Sequence, residues 1–305
     1  MGDGGLVRLP PVAAAPRRRG PREDQVRLRL ELAYDGSGFY GWARQPGLRT
    51  VQGEVESALT MLLRASEQVR IACAGRTDAG VNARGQVGHA DVPADLWAAL
   101  AARGPEAPVR RLAGILAGDV RVRAMAPAPD GFDARWSALS RTYAYRVSDL
   151  AGGADPLLRS HVLHHTGLRS GLLDIDAMNE AAAVLLGEHD FSSYCRRREG
   201  ASTVRTLHEL RWDREHDTGL AVMWIRADAF CHSMVRSIVG ALLPVGDGRR
   251  PVGWPGEILS RARRMPDADV APPIGLCLEH VAYPPDDDLA AQAVRARRFR
   301  GTLDD

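Results

Sequence analysis

The chain contains no lysine: all 40 of its basic residues are arginine. Codon bias is the simplest source of so uniform a choice, so the absence says nothing about a partner. An excess of one charge is missing too, since 40 basic residues face 38 acidic ones. Residues 1–24 hold Arg8, Arg17, Arg18, Arg19 and Arg22 against Asp3, Glu23 and Asp24, which leaves the rest of the chain neutral. A polyanionic partner would therefore have to be met by arginines segregated onto one face. No apolar run reaches the roughly 18 residues of a membrane-spanning helix. Cysteine is scarce and scattered. Cys73, Cys195, Cys231 and Cys277 form no CxxC pair, and the expectation is four buried or half-buried thiols in a reducing compartment, the cytoplasm. His161, His164 and His165 lack a second ligand pair at zinc spacing, so no metal is expected there.

What is present is an ordinary globular composition, 45% apolar and 26% charged. A chain of 305 residues has room for one large domain or two of ordinary size. Residues 1–24 place their charge after their apolar stretch, the reverse of a signal peptide, and read as a disordered arm rich in Pro, Gly and Arg.

Residues 26–34 (VRLRLELAY) alternate apolar and polar and predict a half-buried strand, followed by a turn at Asp35-Gly36-Ser37-Gly38. Thr50 is placed to cap a helix running to about Ala65, with Val51, Val55, Leu59, Leu62 and Leu63 on one face. Val69 to Ala74 and Gln86 to Val92 read as strands, so Arg76 to Asn82 connect two strands where a scaffold can present side chains. Further on, residues 141–148, 203–213, 219–228 and 276–283 read as strands, and 176–186 and 234–243 as helices. The pattern predicts an α+β chain of two related subdomains, 25–128 and 129–285, with mostly antiparallel sheets and helices on one face. Residues 286–305 read as a charged, loosely held tail.

The most informative stretch is AGRTDAGVNARGQVGHADV, residues 74–92. Gly75 and Gly80 bracket Arg76-Thr77-Asp78, and glycine lets the backbone turn sharply and a ligand approach closely. An Asp held there beside Arg stays ionised and can act as nucleophile or base. The tetrapeptide alone better fits an Asx turn in which Asp78 only bonds backbone.

The longer string decides. GRTDAGV followed by GQV-x-H resembles the catalytic segment of the tRNA pseudouridine synthase A family, and four more segments match in order. They are YDGSGFYGWARQ with the TVQGEVESAL helix, FDARWSALSRTYAYRV, ADAFCHSMVRSIVGALLPVG and GLCLEHVAYP. The likeness runs from about Val26 to Pro284. It implies the pseudouridine synthase fold, with a catalytic cleft between the two subdomains, and conversion of uridine to pseudouridine at tRNA positions 38 to 40, in the anticodon stem-loop. It also implies a homodimer, with no cofactor, no membrane and no DNA.

By the resemblance, Asp78 matches the family's aspartate nucleophile and Tyr143 the tyrosine that stacks on the target uracil. Arg236 matches the arginine paired with the carboxylate, and Leu276 an apolar wall of the base pocket. Arg76 matches an arginine that fills the space of the flipped nucleotide. The chemistry breaks the N1–C1′ bond, turns the uracil while it stays bound and joins C5 to C1′. A carboxylate there either attacks the sugar, stabilises its developing charge or removes a sugar proton; residue type does not choose among these. Tyr143 is the candidate for removing the C5 proton. Without the resemblance, Tyr143 fits an ordinary core position, whereas Arg236 on an apolar helix demands a partner either way. Trp42 reads as structural, and Asp35 as part turn, part pocket. Asn82 stands where the family commonly has His, and Ala43 where Gln is common. These departures, with the loop Ala101–Ala107, bear on RNA contacts rather than on catalysis. Arg196-Arg197-Arg198 and Arg17-Arg18-Arg19 are candidate phosphate contacts.

Overall fold

The strict alternation of residues 26–34 produces the strand around which the first half of the molecule is laid. A computed structural model describes residues 20–166, 171–196, 202–261 and 269–297. Strand β1 (Gln25–Tyr34) buries Leu28, Leu30 and Leu32 completely and turns Glu31 to solvent. Helix α1 (Val51–Leu63) starts as expected: Thr50 is extended, and its hydroxyl accepts from the Gly53 N–H. It is capped by Arg64, whose left-handed backbone (φ 50) stops the helix at Leu63, two residues short of the expected Ala65. Its buried face carries the five predicted residues together with Glu56. The Glu56 carboxylate is fully buried. It accepts from Gln52 and the Ile71 N–H, at 2.9 and 3.1 Å, and so pins β2 (Ile71–Cys73) to the helix.

Strand β3 (Asn82–Pro93), helices α2 (Ala94–Ala101) and α3 (Ala107–Ile115), and strand β4 (Val120–Pro127) complete this half. β1 lies between β4 and β3, antiparallel to both, and β2 adds to β3.

The second half begins with β5 (Ser140–Ser148) and β6 (Leu163–His164), followed by α4 (Ile175–Ala183) and β7 (Gly187–Asp190). The hairpin β8 (Val204–Arg214) and β9 (Ala221–Ala227) leads to α5 (Met234–Gly246) and α6 (Trp254–Ser260). β10 (Leu276–Ala282) and α7 (Leu289–Ala296) close the described chain.

The two halves share one sheet of ten strands, in the order β4-β1-β3-β10-β5-β9-β8-β7 with β2 and β6 alongside. β3 and β10 join them in parallel, Asn82 beside Cys277 and Ala83 beside Leu278. The backbones are so close here that a Cβ on Gly85 would sit 2.2 Å from the Glu279 carbonyl oxygen, so only glycine fits. This step also fixes where β3 begins, and therefore where the connection leading into it is displayed.

Two expectations change. Residues 286–297 do not hang loose: α7 buries Leu289 and Ala293, and the Ser137 hydroxyl donates to the Leu289 carbonyl at 3.1 Å. Its composition hid this, because three consecutive aspartates precede just two apolar anchors. Of the four cysteines only Cys73 and Cys277 are free; Cys195 and Cys231 form a disulfide with Cα atoms 5.7 Å apart. Thirty-six residues separate them, and the fold, not local spacing, brings them together. Residues 1–19, with Arg17 to Arg19, and Arg197 and Arg198 lie outside the described residues.

Candidate active site

The connection between β2 and β3 is held from several sides. The Ala74 N–H donates to Val87 O at 2.8 Å, and the Gln86 amide donates to Gly75 O at 2.7 Å. The Tyr34 hydroxyl bonds the Thr77 hydroxyl at 2.8 Å, and the Trp42 N–H donates to Thr77 O at 3.0 Å. Gly41 (φ 89) lies against this connection, where a Cβ would meet Thr77 O at 3.0 Å. Trp42 is 1% exposed and packs beside Tyr34, in keeping with a structural role. The Asp35 carboxylate accepts from the Ser37 N–H; burial alone would raise its pKa, but its hydrogen bonds bring it below the ordinary value. Asn82 is a buried hub rather than a contact surface. Its side chain accepts from the Gly36 N–H and donates to Ser160 O and Ile274 O.

Arg141 ties this loop to the rest. Its guanidinium is buried and donates to the carbonyls of Ala74, Arg135 and Asp228 at 2.7–2.8 Å. Burial lowers its pKa. The Asp228 contact fixes the start of a strap, residues 228–233, that leaves β9 and runs to the amino end of α5.

The strap meets Asp78. One carboxylate oxygen, Oδ1, lies 3.3 Å from His232 Nε2. The other, Oδ2, accepts from Ser233 Oγ at 3.3 Å and lies 3.7 Å from an Arg236 guanidinium nitrogen. Arg236 is fixed in turn by donating through Nε to Ala271 O at 2.6 Å. The Asp78 side chain keeps 27% of its surface exposed, so it is gripped on one side and open on the other. Tyr143 stands edge-on to Phe230 of the strap, ring centres 5.2 Å apart, and burial pushes its phenol pKa up. Leu276 is buried opposite Tyr145, at the β10 edge of β5.

Asp78, Tyr143, Arg236, Leu276 and the exposed Arg76 all line one cleft of about 1170 Å³. Nine arginines line it against four carboxylates, so the near-neutral chain does gather positive charge on one surface. At one end Trp136 lies under the Arg135 guanidinium, and Arg297 reaches over from the end of α7 to pair with Asp133 at 3.1 Å. Arg196 also lines the cleft.

Sequence reasoning missed Phe230, His232, Ser233 and Arg141. The first three stand in the segment ADAFCHSMVRSIVG, where a Ser before a helix reads as a routine cap. The clustered histidines part company: His161 bonds Ser160 and His165 bonds Asp247. Among the described residues no group of three His, Cys, Asp or Glu could hold a metal, and no helix is long and apolar enough to cross a membrane.

A family model described as tRNA pseudouridine synthase matches residues 181–284. A protein of Streptomyces griseus named tRNA pseudouridine synthase A is 56% identical over 275 residues, 90% of this chain and 94% of that one. Those of the same name from Frankia casuarinae and Mycobacterium leprae are 54% and 47% identical, each over at least 90% of both chains. An archaeal Nop10–Cbf5 complex is 11% identical with a TM-score of 0.31, too distant to carry an argument.

Proposed function

We infer, from a chain that belongs to the tRNA pseudouridine synthase family, an isomerase that converts uridine to pseudouridine in transfer RNA with Asp78 as its nucleophile. The observation that carries the assignment is the Asp78 carboxylate, fixed by Arg236, Ser233 and His232 and open to a cleft rich in arginine.

The geometry supports each step asked of it. A uridine must leave its stack, which costs a few kcal/mol, and needs a pocket with aromatic and apolar faces. In this reading Tyr143 and Leu276 supply those faces, and Arg76, exposed two residues before Asp78 in the chain, fills the vacated space. Asp78 attacks C1′ as the N1–C1′ bond breaks, and Arg236 offsets the cost of keeping a carboxylate ionised in a partly dry site. The uracil turns against Tyr143 and C5 closes on C1′, releasing Asp78; the C5 proton then leaves, and N1, freed from C1′, takes up a proton in its place. Because burial keeps the Tyr143 phenol protonated, it takes the C5 proton only by passing its own onward. The isomerisation involves no net redox change and no hydrolysis.

The arginines of the cleft follow the RNA backbone, whose helices are recognised by shape and phosphate contacts, so several neighbouring uridines fit one site. We assign the target to positions 38 to 40 of the anticodon stem-loop, the protein to the cytoplasm where tRNA is, and the working unit to a homodimer. The test uses unmodified tRNA tritiated at uracil C5. Tritium released to water reports the rearrangement, and tRNAs substituted at single positions locate it. No release, or release unchanged when positions 38 to 40 carry no uridine, rejects the corresponding part of the assignment.

A further inference from the structure

Ser233 occupies the cap position of α5, yet its backbone and its hydroxyl both do something other than cap. An N-cap serine ordinarily has extended backbone, and its oxygen accepts from an N–H of the helix's first turn. Here φ is 64 and ψ is 7, in the left-handed region, and the side chain makes no bond to the helix it precedes. Among the described residues only one other non-glycine has positive φ, Arg64, and it ends a helix, where that conformation is routine. A left-handed serine starting a helix is strained and gives up a stabilising cap. Its Oγ lies instead 3.3 Å from Asp78 Oδ2.

We propose that Ser233 is a positioning residue for the isomerisation: its left-handed backbone turns the hydroxyl from the helix to the nucleophilic carboxylate and orients that carboxylate toward the cleft. This rests on the reading of Asp78 as the nucleophile. The division of contacts explains why a guanidinium alone does not suffice. Arg236 stands 3.7 Å from Oδ2, beyond good hydrogen-bond length, and supplies charge without fixing direction. His232 meets Oδ1 at 3.3 Å and Ser233 meets Oδ2, so the two neighbours in the strap set the rotation of the carboxylate plane. Asp78 also lies off the amino end of a 13-residue helix with no acidic residue in its first turn, where the helix field favours an anion. A carboxylate with the Ser233 hydroxyl donating to one oxygen and His232 against the other is held in one rotamer before substrate arrives, which is what attack on C1′ needs.

The test separates backbone from hydroxyl. Ser233→Gly keeps the left-handed conformation without strain and removes only the donor. Its melting temperature should stay within about 3 °C of the parent. Its kcat for tritium release should fall roughly 10- to 100-fold, the range spanned by hydrogen bonds to charged groups, with KM for tRNA unchanged. Ser233→Asn tolerates the same backbone and offers an amide donor, so it should recover part of the loss. An unchanged kcat in the glycine variant overturns the proposal. So does a rise in KM with kcat intact, which would make Ser233 a substrate contact, and so does an asparagine variant no better than glycine. Asp78→Asn, run beside them, reports on the nucleophile itself: turnover surviving there removes the premise, whereas turnover lost there but kept in Ser233→Gly removes this inference alone.

Discussion

Asp78 and Asp149 each face an arginine, and the contrast between them separates chemistry from architecture. Asp149 is wholly buried and receives a bidentate Arg214 at 2.6 and 2.8 Å, with the Leu173 N–H at 2.8 Å on one of the same oxygens. Burial alone would raise its pKa, but Arg214 and that N–H more than offset it, and the carboxyl titrates below its ordinary value. Asp78 has longer contacts, 3.3 to 3.7 Å, and keeps a quarter of its surface in the cleft. The first carboxylate has spent its lone pairs on the fold. The second keeps one side open to the cleft.

Replacing each aspartate by asparagine should break the comparison in opposite directions, with the largest effects of any change considered. Asp78→Asn is expected to lose at least about a thousandfold in turnover, as nucleophiles do when removed, while urea denaturation moves little. Asp149→Asn leaves the Arg214 charge partly unanswered in the interior and should cost about 3 kcal/mol of stability, with kcat per folded molecule unchanged. If Asp78→Asn unfolds the protein instead, its carboxylate belongs with Asp149 and the contrast is void.

Arg141 lies between these extremes, since its three carbonyl contacts join the Asp78 loop to the strap. Arg141→Lys keeps the charge but reaches one carbonyl where the fork reached three. The expected result is about 2 kcal/mol of lost stability together with a fall of roughly tenfold in kcat, because loop and strap lose their register. A variant that loses stability but not kcat would show that strap and loop hold their register without Arg141.

A smaller effect belongs to binding alone. Arg297 stands at the edge of the cleft, exposed and far in sequence from every residue that touches Asp78. Arg297→Ala should weaken tRNA binding modestly and lower the slope of log affinity against log salt by about 0.7 to 0.9, one phosphate contact, with kcat unchanged. An unaltered slope would take α7 out of the RNA surface.

What the sequence made legible follows the same division. The glycine-bracketed Asp78 and the alternating strand around Tyr143 are local patterns, and the fold places both residues on one cleft. Arg236 was legible because a cation on an apolar helix must find a partner. Ser233 was not, since the residue type that normally caps a helix gives no sign that its backbone is left-handed. The β3–β10 step, the Cys195–Cys231 bond and the docking of α7 all depend on residues distant in the chain, and no local period records them. Arg141 reads as one polar position of an alternating strand until the fold brings three carbonyls to it.

The gentlest way to sharpen the comparison is pH, because His89 supplies a second buried titrating group in the scaffold, in a different window. It is 8% exposed, and its Nδ1 accepts from the Ala134 N–H at 3.0 Å. Burial first, and then the Arg27 guanidinium, lower its pKa from 6.5 to about 4. The folded protein therefore resists a proton that the unfolded chain accepts below pH 6.5. The stability tied to neutral His89 is complete above that value and drains away as pH falls toward 4, by up to about 3 kcal/mol. Asp149 also has a lowered pKa, but its contribution is lost only below its ordinary value of 3.8. The acid limb of the stability curve should thus have an upper part from the histidine and a lower part from the carboxylates. His89→Asn keeps an acceptor for the Ala134 N–H and cannot titrate, so its denaturation midpoint should stay flat between pH 6.5 and 4 where the parent's declines. Equal slopes in that window would mean the imidazole is already protonated in the folded state, with the Ala134 N–H held by something else.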